Sequence, residues 1–331
     1  MNQFTYRKAS SQDDALKGAA QARFIGGGTT LIDLMKLDVE RPAALIDVSR
    51  IPNLKIERVS GGGLLIGAEV KNSDLAHNDL VRKEYAVLSE ALLAGASAQL
   101  RNKATTAGNL LQRTRCLYFR DVTKPCNKRE PGSGCAAIEG HNRNLAILGV
   151  SSKCIANNPS DMNVAMMALE AKILTVGAGE GGGAAGGARE IPINDFYLLP
   201  GETPEKETVL RPGELITGVK LEAPSKGSRS LYLKLRDRAS YEFALASVAV
   251  VATVRSGKIE HVRLALGGVG AKPWRALEAE KLLEGSDVSV ATFEKAADAA
   301  LFGAKPQSQN GFKVELARRC IIEALTRVMK A

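Results

Sequence analysis

Phe24-Ile25-Gly26-Gly27-Gly28-Thr29-Thr30-Leu31-Ile32-Asp33-Leu34-Met35 reads as the end of a strand, a glycine-rich turn and the start of a helix. Three consecutive glycines let a backbone approach a ligand closely. Successive N–H groups, followed by a helix N-terminus, can bind phosphate oxygens. An ordinary tight strand–helix turn has the same composition, and the segment alone does not separate the two. No Lys-Ser/Thr pair follows, so the P-loop pattern is absent. The strand Ala44–Ser49 after the helix completes a β-α-β unit. A second small-residue turn, Ala104-Thr105-Thr106-Ala107-Gly108-Asn109, offers hydroxyls, an amide and open backbone. Two such loops in one domain suit a dinucleotide, which needs contacts at both ends.

The 331 residues allow two or three domains. No apolar run approaches the length of a membrane span. The start, MNQFTYRKASSQDD, carries no apolar export signal. The net charge of +9 is concentrated around cysteines. The stretch 113–154 holds eight Lys and Arg against three Asp and Glu, a net +5. With one Trp and no long basic run, this distribution argues against nucleic-acid binding.

Four of the five cysteines, Cys116, Cys126, Cys135 and Cys154, fall in 39 residues with spacing C-x9-C-x8-C-x18-C. Disulfides are one reading, but a chain of this length needs no staples. Structural zinc is another, but its usual C-x2-4-C knuckle is absent. A four-Cys iron–sulfur cluster suits the surrounding cations best, although the spacing matches no ferredoxin pattern. The window is rich in Pro, Gly and Asn. It reads as an insert held by its metal, because its own apolar content is too small. Cys320 lies in the helical stretch VELARRCIIEALTRVM and reads as a small core residue.

Elsewhere, GLLIGAEV reads as a strand, Asn72-Ser73-Asp74 as a helix cap, YAVLSEALLAGA as a helix, residues 160–171 as a helix and KILTV as a strand. The run GAGEGGGAAGGA at 177–188 contains G-x-G-x-x-G at Gly177, Gly179 and Gly182. The segment after it is strand-like, so no helix is aimed at a pyrophosphate, and the run reads as a hairpin tip. Beyond about residue 222, three strands followed by three helices indicate an α+β domain.

Together these segments resemble a known family. FIGGGTTLIDLM, RNKATTAGNLLQ, PSDMNVAMMALEA, RPGELITGV, KLRDRASYEFALASVAV and LALGGVGAKPWRA occur in the order found in the FAD-binding subunit of the molybdenum hydroxylases. That family includes xanthine dehydrogenase, carbon monoxide dehydrogenase and aldehyde oxidoreductase. The cysteine window resembles an iron–sulfur insert carried by a subset, especially the flavin subunit of bacterial aldehyde oxidoreductases.

The resemblance implies an α+β chain of the vanillyl-alcohol-oxidase type. An FAD-binding domain would span 1–221, with subdomains 1–60 and 61–221 and an iron–sulfur insert at 112–158. A C-terminal α+β domain of the carbon monoxide dehydrogenase flavoprotein type would span 222–331. Phe24, Ile25, Gly26, Gly27, Gly28, Thr29, Thr30 and Leu31 would wrap the FAD diphosphate, and Thr105, Gly108 and Asn109 would form the second contact loop. Asp161 would meet the flavin end, Ile216 would pack on the isoalloxazine and Lys234 would stabilise anionic reduced flavin. Plain structural readings stand beside two of these: a helix N-terminal carboxylate for Asp161 and a solvated strand end for Lys234.

Cys116, Cys126, Cys135 and Cys154 would hold a [4Fe-4S] cluster. The partners implied are a molybdenum-cofactor subunit and a [2Fe-2S] subunit in a heterotrimer. The chain would carry electrons from the partner clusters to an external acceptor other than NAD, such as a quinone, ferredoxin or dioxygen. Export would occur folded, on a partner's signal; otherwise the chain would be cytoplasmic. A self-contained FAD oxidase would need its own base at the flavin, and the three histidines (His77, His141, His261) are scattered. A zinc-stabilised interaction module is the other alternative.

Overall fold

The computed structural model describes residues 1–52, 54–177 and 187–330. The glycine-rich turn belongs to a three-stranded parallel sheet of β1 (Thr5–Lys8), β2 (Arg23–Ile25) and β3 (Ala44–Asp47), in the order β1-β3-β2. Parallel neighbours require a crossover, and the helix Leu31–Lys36 provides the one from β2 to β3. The turn Gly26–Thr30 therefore lies beyond the carboxyl end of β2, where open α/β sheets receive ligands. Gly28 takes φ +72°. A Cβ on Gly27 would stand 2.0 Å from the carbonyl oxygen of Lys103, so only glycine lets this turn lie against the 103–105 segment.

The second sheet is antiparallel. It contains β4 (Ile56–Arg58), β5 (Leu64–Gly67), β6 (Lys172–Val176), β7 (Ala188–Pro192) and β8 (Leu215–Leu221), in the order β4-β5-β8-β6-β7. It begins before residue 60. The helices Ala86–Ala94 and Asp161–Ala168 share its core through Val87, Leu88, Met166, Ile173 and Val219. Burying each such larger side chain contributes about 1.5–3 kcal/mol. β6 and β7 pair as far as Val176 and Ala188. The glycine run between them falls mostly on 178–186, outside the described residues. A strand follows it, so the helix that a pyrophosphate fingerprint needs is absent there.

One local expectation is corrected. Asn72 does not cap its helix. It sits inside the first turn of Asn72–His77, buried, while Lys71 holds the cap position without a side-chain bond. The burial follows from pairing, because Asn72 N–H donates to Ala104 O of the second small-residue turn. That turn is itself partly helical: Thr105 caps the helix Thr106–Leu110 by accepting from Gly108 N–H at 3.1 Å.

The remaining strands, β9 (Arg229–Leu235), β10 (Ala246–Arg255), β11 (Lys258–Gly267) and β12 (Trp274–Arg275), form an antiparallel sheet ordered β12-β11-β10-β9. Three helices, Leu277–Leu283, Val290–Ala300 and Phe312–Lys330, follow. The last packs Ile321, Ala324, Leu325 and Val328 onto the sheet, with Cys320 in the same core.

The cysteine insert is irregular apart from the helix Leu117–Arg120 and isolated bridges, including Cys126–Cys135. It has more of a core than its composition suggests, because Phe119, Ala137, Leu145 and Ile155 pack together with Leu34. The four cysteines nevertheless belong to that cluster. Buried polar groups tie the insert to the C-terminal domain. Asn310 Nδ2 donates to Asn142 O at 3.2 Å, and Lys313 Nζ donates to Leu145 O at 2.9 Å and Gly268 O at 2.7 Å.

Candidate cofactor trough and cysteine cavity

Two adjoining cavities, of about 770 and 230 Å³, share Thr29, Thr30, Gly108, Gln112 and Pro159 in their walls. The larger is lined by Phe24 through Leu31 together with Thr105 and Gly108. The smaller is lined by Asn109, Asp161 and Lys234. The trough thus gathers every residue expected at a dinucleotide except Ile216. That side chain is buried in the main core and lines neither cavity; the register shift where β8 pairs with Leu174 and Thr175 breaks plain alternation and sets it with Val219 and Leu221. None of the three histidines lines the trough.

The trough fits a dinucleotide on its own chemistry. The N–H groups of Gly26 through Thr30 make no hydrogen bond among the described residues, leaving a row of donors beside a helix start. Glycine spaces the cradle: a Cβ on Gly26 would meet the Glu69 carboxylate at 2.9 Å and Thr105 Oγ1 at 3.1 Å. Glu69 and Asn72 each keep a buried oxygen without a partner beside this cradle. Burial pushes the Glu69 carboxyl up, with Lys71 opposing and Asp47 adding to the rise.

At the far end Asp161 sits in the first turn of its helix, which Ser160 caps by accepting from Asn163 N–H. Its Oδ1 accepts from Tyr232 Oη at 2.5 Å and its Oδ2 from Lys234 Nζ at 2.8 Å. Lys234 Nζ also donates to Ala94 O at 3.1 Å. The Lys234 and Asp161 side chains are only 4% and 9% exposed, so Lys234 is a buried ion-pair member and not a solvated strand end. Burial holds the Tyr232 phenol well above its ordinary value, so it stays protonated and donates. Sequence reasoning missed Tyr232. Its signal was the period-2 alternation that puts residues 232 and 234 on one face of β9.

On the trough wall Arg113 bridges Glu40 and Glu207, each at 2.5 Å, and Lys128 Nζ meets Glu207 at 2.9 Å. Burial alone would push Glu207 up. Lys128 and Arg113 outweigh it and hold the carboxyl below its ordinary range. Lys128 and Cys154 line both this trough and a third, small cavity.

That third cavity is lined by Cys116, Cys126, Cys135 and Cys154. All four thiols are free, which sets the disulfide reading aside. Among the described residues no group of three or more His, Cys, Asp or Glu is arranged to hold a metal ion. The four cysteine thiols nevertheless line one shared cavity, beside Tyr118, Asn127 and Lys128. Such an all-thiol set is a soft donor set of the kind that suits zinc or iron–sulfur chemistry. Burial pushes the Cys116 thiol up to about 12, against the N–H groups of Phe119 and Tyr118 that favour its thiolate. Burial likewise raises Cys154, with Lys128 opposing. A bound cation deprotonates such thiols.

The trough and its strand–helix frame define a dinucleotide-binding fold, and comparison with known proteins gives the family. The chain belongs to the family described as FAD binding domain in molybdopterin dehydrogenase, whose model matches residues 2–224. Residues 231–331 match the CO dehydrogenase flavoprotein C-terminal domain. The chain is 50% identical over 330 residues to the aldehyde oxidoreductase FAD-binding subunit PaoB of Escherichia coli (strain K12), covering 98% of each. It is 29% identical to the glyceraldehyde dehydrogenase medium chain of Sulfolobus acidocaldarius, covering 87% of this chain and 83% of that one. A solved CO dehydrogenase from Oligotropha carboxidovorans superposes with a TM-score of 0.78 over 99% of this chain and 98% of that one, at 24% identity, a likeness of fold.

Proposed function

We propose that this chain is the FAD-carrying electron-transfer subunit of a molybdenum-dependent aldehyde oxidoreductase. It would assemble with a molybdenum-cofactor subunit and a [2Fe-2S] subunit and would also hold a [4Fe-4S] cluster. The observation that carries the reading is the trough, where the unpaired N–H groups of the glycine turn at one end face the buried Asp161–Lys234 pair at the other. The full-length likeness to an aldehyde oxidoreductase FAD-binding subunit supports the substrate class and the partners.

Bound FAD would supply the exchange between one-electron carriers and a two-electron acceptor other than NAD. Gly26 through Thr30 would hold its diphosphate through backbone N–H groups. Asp161, fixed by Tyr232 and Lys234, would orient the flavin end and hold a cation beside it. Cys116, Cys126, Cys135 and Cys154 would hold the cluster, a reading supported by their common cavity and all-sulfur donor set. Aldehyde chemistry would take place on the molybdenum partner, a placement supported by the full-length likeness to an FAD-binding subunit. Location belongs to the same proposal: the complex would reach the periplasm on a partner's signal, which cell fractionation tests.

The deciding experiment is an anaerobic visible spectrum with iron and sulfide analysis. Flavin bands with about four irons and four sulfides per chain are expected for a four-Cys cubane. Flavin with zinc would reduce the insert to a structural clip. Absence of flavin would refute the function.

A further inference from the structure

Arg115 stands where two sites meet. Its side chain lines the flavin-end cavity with Asp161, Lys234 and Phe243, while the next residue, Cys116, lines the cysteine cavity. One peptide bond joins the two. The guanidinium lies 5.1 Å from the centre of the Phe243 ring. Its carboxylate partner is Asp33, whose Oδ2 is 3.3 Å away, and the same oxygen accepts from Arg120 at 2.7 Å. Two cations thus share one anion. Arg115 Nε is buried and makes no hydrogen bond among the described residues. A buried donor left unpaired marks a missing partner.

Other cations of this cavity are already matched. Lys234 is cancelled by Asp161, and Arg238 faces Glu242 at 3.4 Å. Arg101 is turned onto the carbonyl oxygens of Gly95 and Ala96. On the trough wall Arg113 meets two carboxylates, Glu40, which also faces Arg23 at 3.5 Å, and Glu207, which it shares with Lys128. Among the described cations lining these two cavities, Arg115 combines a shared counter-ion with an unpaired donor.

We propose that Arg115 is the electrostatic link between flavin and cluster, its guanidinium donating to the flavin end of the bound cofactor and its charge favouring the electron-rich state of both centres. This rests on the reading of the trough and the cysteine cavity given above. Two electrons and one proton arriving at a flavin leave one net negative charge on the ring, and one electron arriving at a cluster adds one there. A fixed cation beside both stabilises both charges.

The test uses the assembled complex, with FAD and iron per chain measured first. Flavin potentials are read by spectroelectrochemistry and cluster potentials by electron paramagnetic resonance. Arg115→Gln is expected to lower both. The expected size is a tenfold change in each reduced-to-oxidised ratio, about 30 mV for the two-electron flavin and about 59 mV for a one-electron cluster. Arg115→Lys keeps the charge and stays near the parent. Asp33→Asn removes the shared counter-ion and raises both potentials. A structural role would not move potentials in opposite directions at full cofactor content. Unmoved potentials in Arg115→Gln overturn the proposal, as does a shift confined to one centre. If that variant loses FAD or iron, Asp33→Asn decides: a rise in both supports the link and no rise refutes it. A parent complex lacking flavin or iron overturns the underlying reading, and the link with it.

Discussion

Replacing Asp161 with alanine removes the one carboxylate paired with Lys234 among the described residues. The ammonium would remain buried, with Ala94 O as its one remaining hydrogen-bond acceptor among the described residues. Breaking a buried pair from one side costs about 3–5 kcal/mol, because the other charge is stranded. The Tyr232 hydroxyl also loses its acceptor, but Ser247 stands beside it and can take that bond, so little need be added. The expected loss is therefore about 3–5 kcal/mol in the FAD-free protein. Urea unfolding followed by circular dichroism measures it. Adding Lys234→Met removes the stranded charge, so the double variant should be more stable than Asp161→Ala alone, and the cycle isolates the coupling. A loss under about 1 kcal/mol, the range of exposed pairs, would refute the buried-pair reading. So would a double variant no better than the single one.

Gly27→Ala places a Cβ 2.0 Å from the Lys103 carbonyl oxygen and should part the two loops, giving protein purified without flavin; retained stoichiometric flavin would contradict the cradle. Cys126→Ser should lose or convert the cluster, and full iron content by metal analysis would exclude Cys126 as a ligand. Lys313 is buried, and desolvation, with Arg143 adding, pushes its pKa from 10.5 down to about 7. Between pH 7 and 10.5 the unfolded chain then binds the extra proton, so this residue makes stability rise with pH across that window. Lys313→Met should flatten the rise, read as melting temperature against pH, and an unchanged slope would refute it.

The β-α-β unit was legible from Phe24 to Ser49 because its signals are local: a strand, three glycines and a helical apolar period. The three strands and three helices after residue 222 were legible for the same reason. Asn72 misled because Asn-Ser-Asp is a genuine cap composition. What overrode it was a backbone bond to Ala104, over thirty residues away, which no local pattern encodes. Ile216 misled differently. Plain alternation sets residue 216 on the opposite face from Val219 and Leu221, and only the register shift where β8 pairs with β6 brings it into their core.

By itself the sequence determined which residues could serve a cofactor, since glycine turns, hydroxyls and clustered thiols are properties of composition and spacing. Tertiary structure alone decided which of them meet. Asp161 and Lys234 are 73 residues apart and become one buried pair only where the helix Asp161–Ala168 packs against the third sheet. Arg115 and Cys116 are neighbours in the chain, yet they face two different cavities. The physical reason is the same in both cases. Burial and charge compensation depend on which surfaces the sheets bring into contact, and that pairing is long-range.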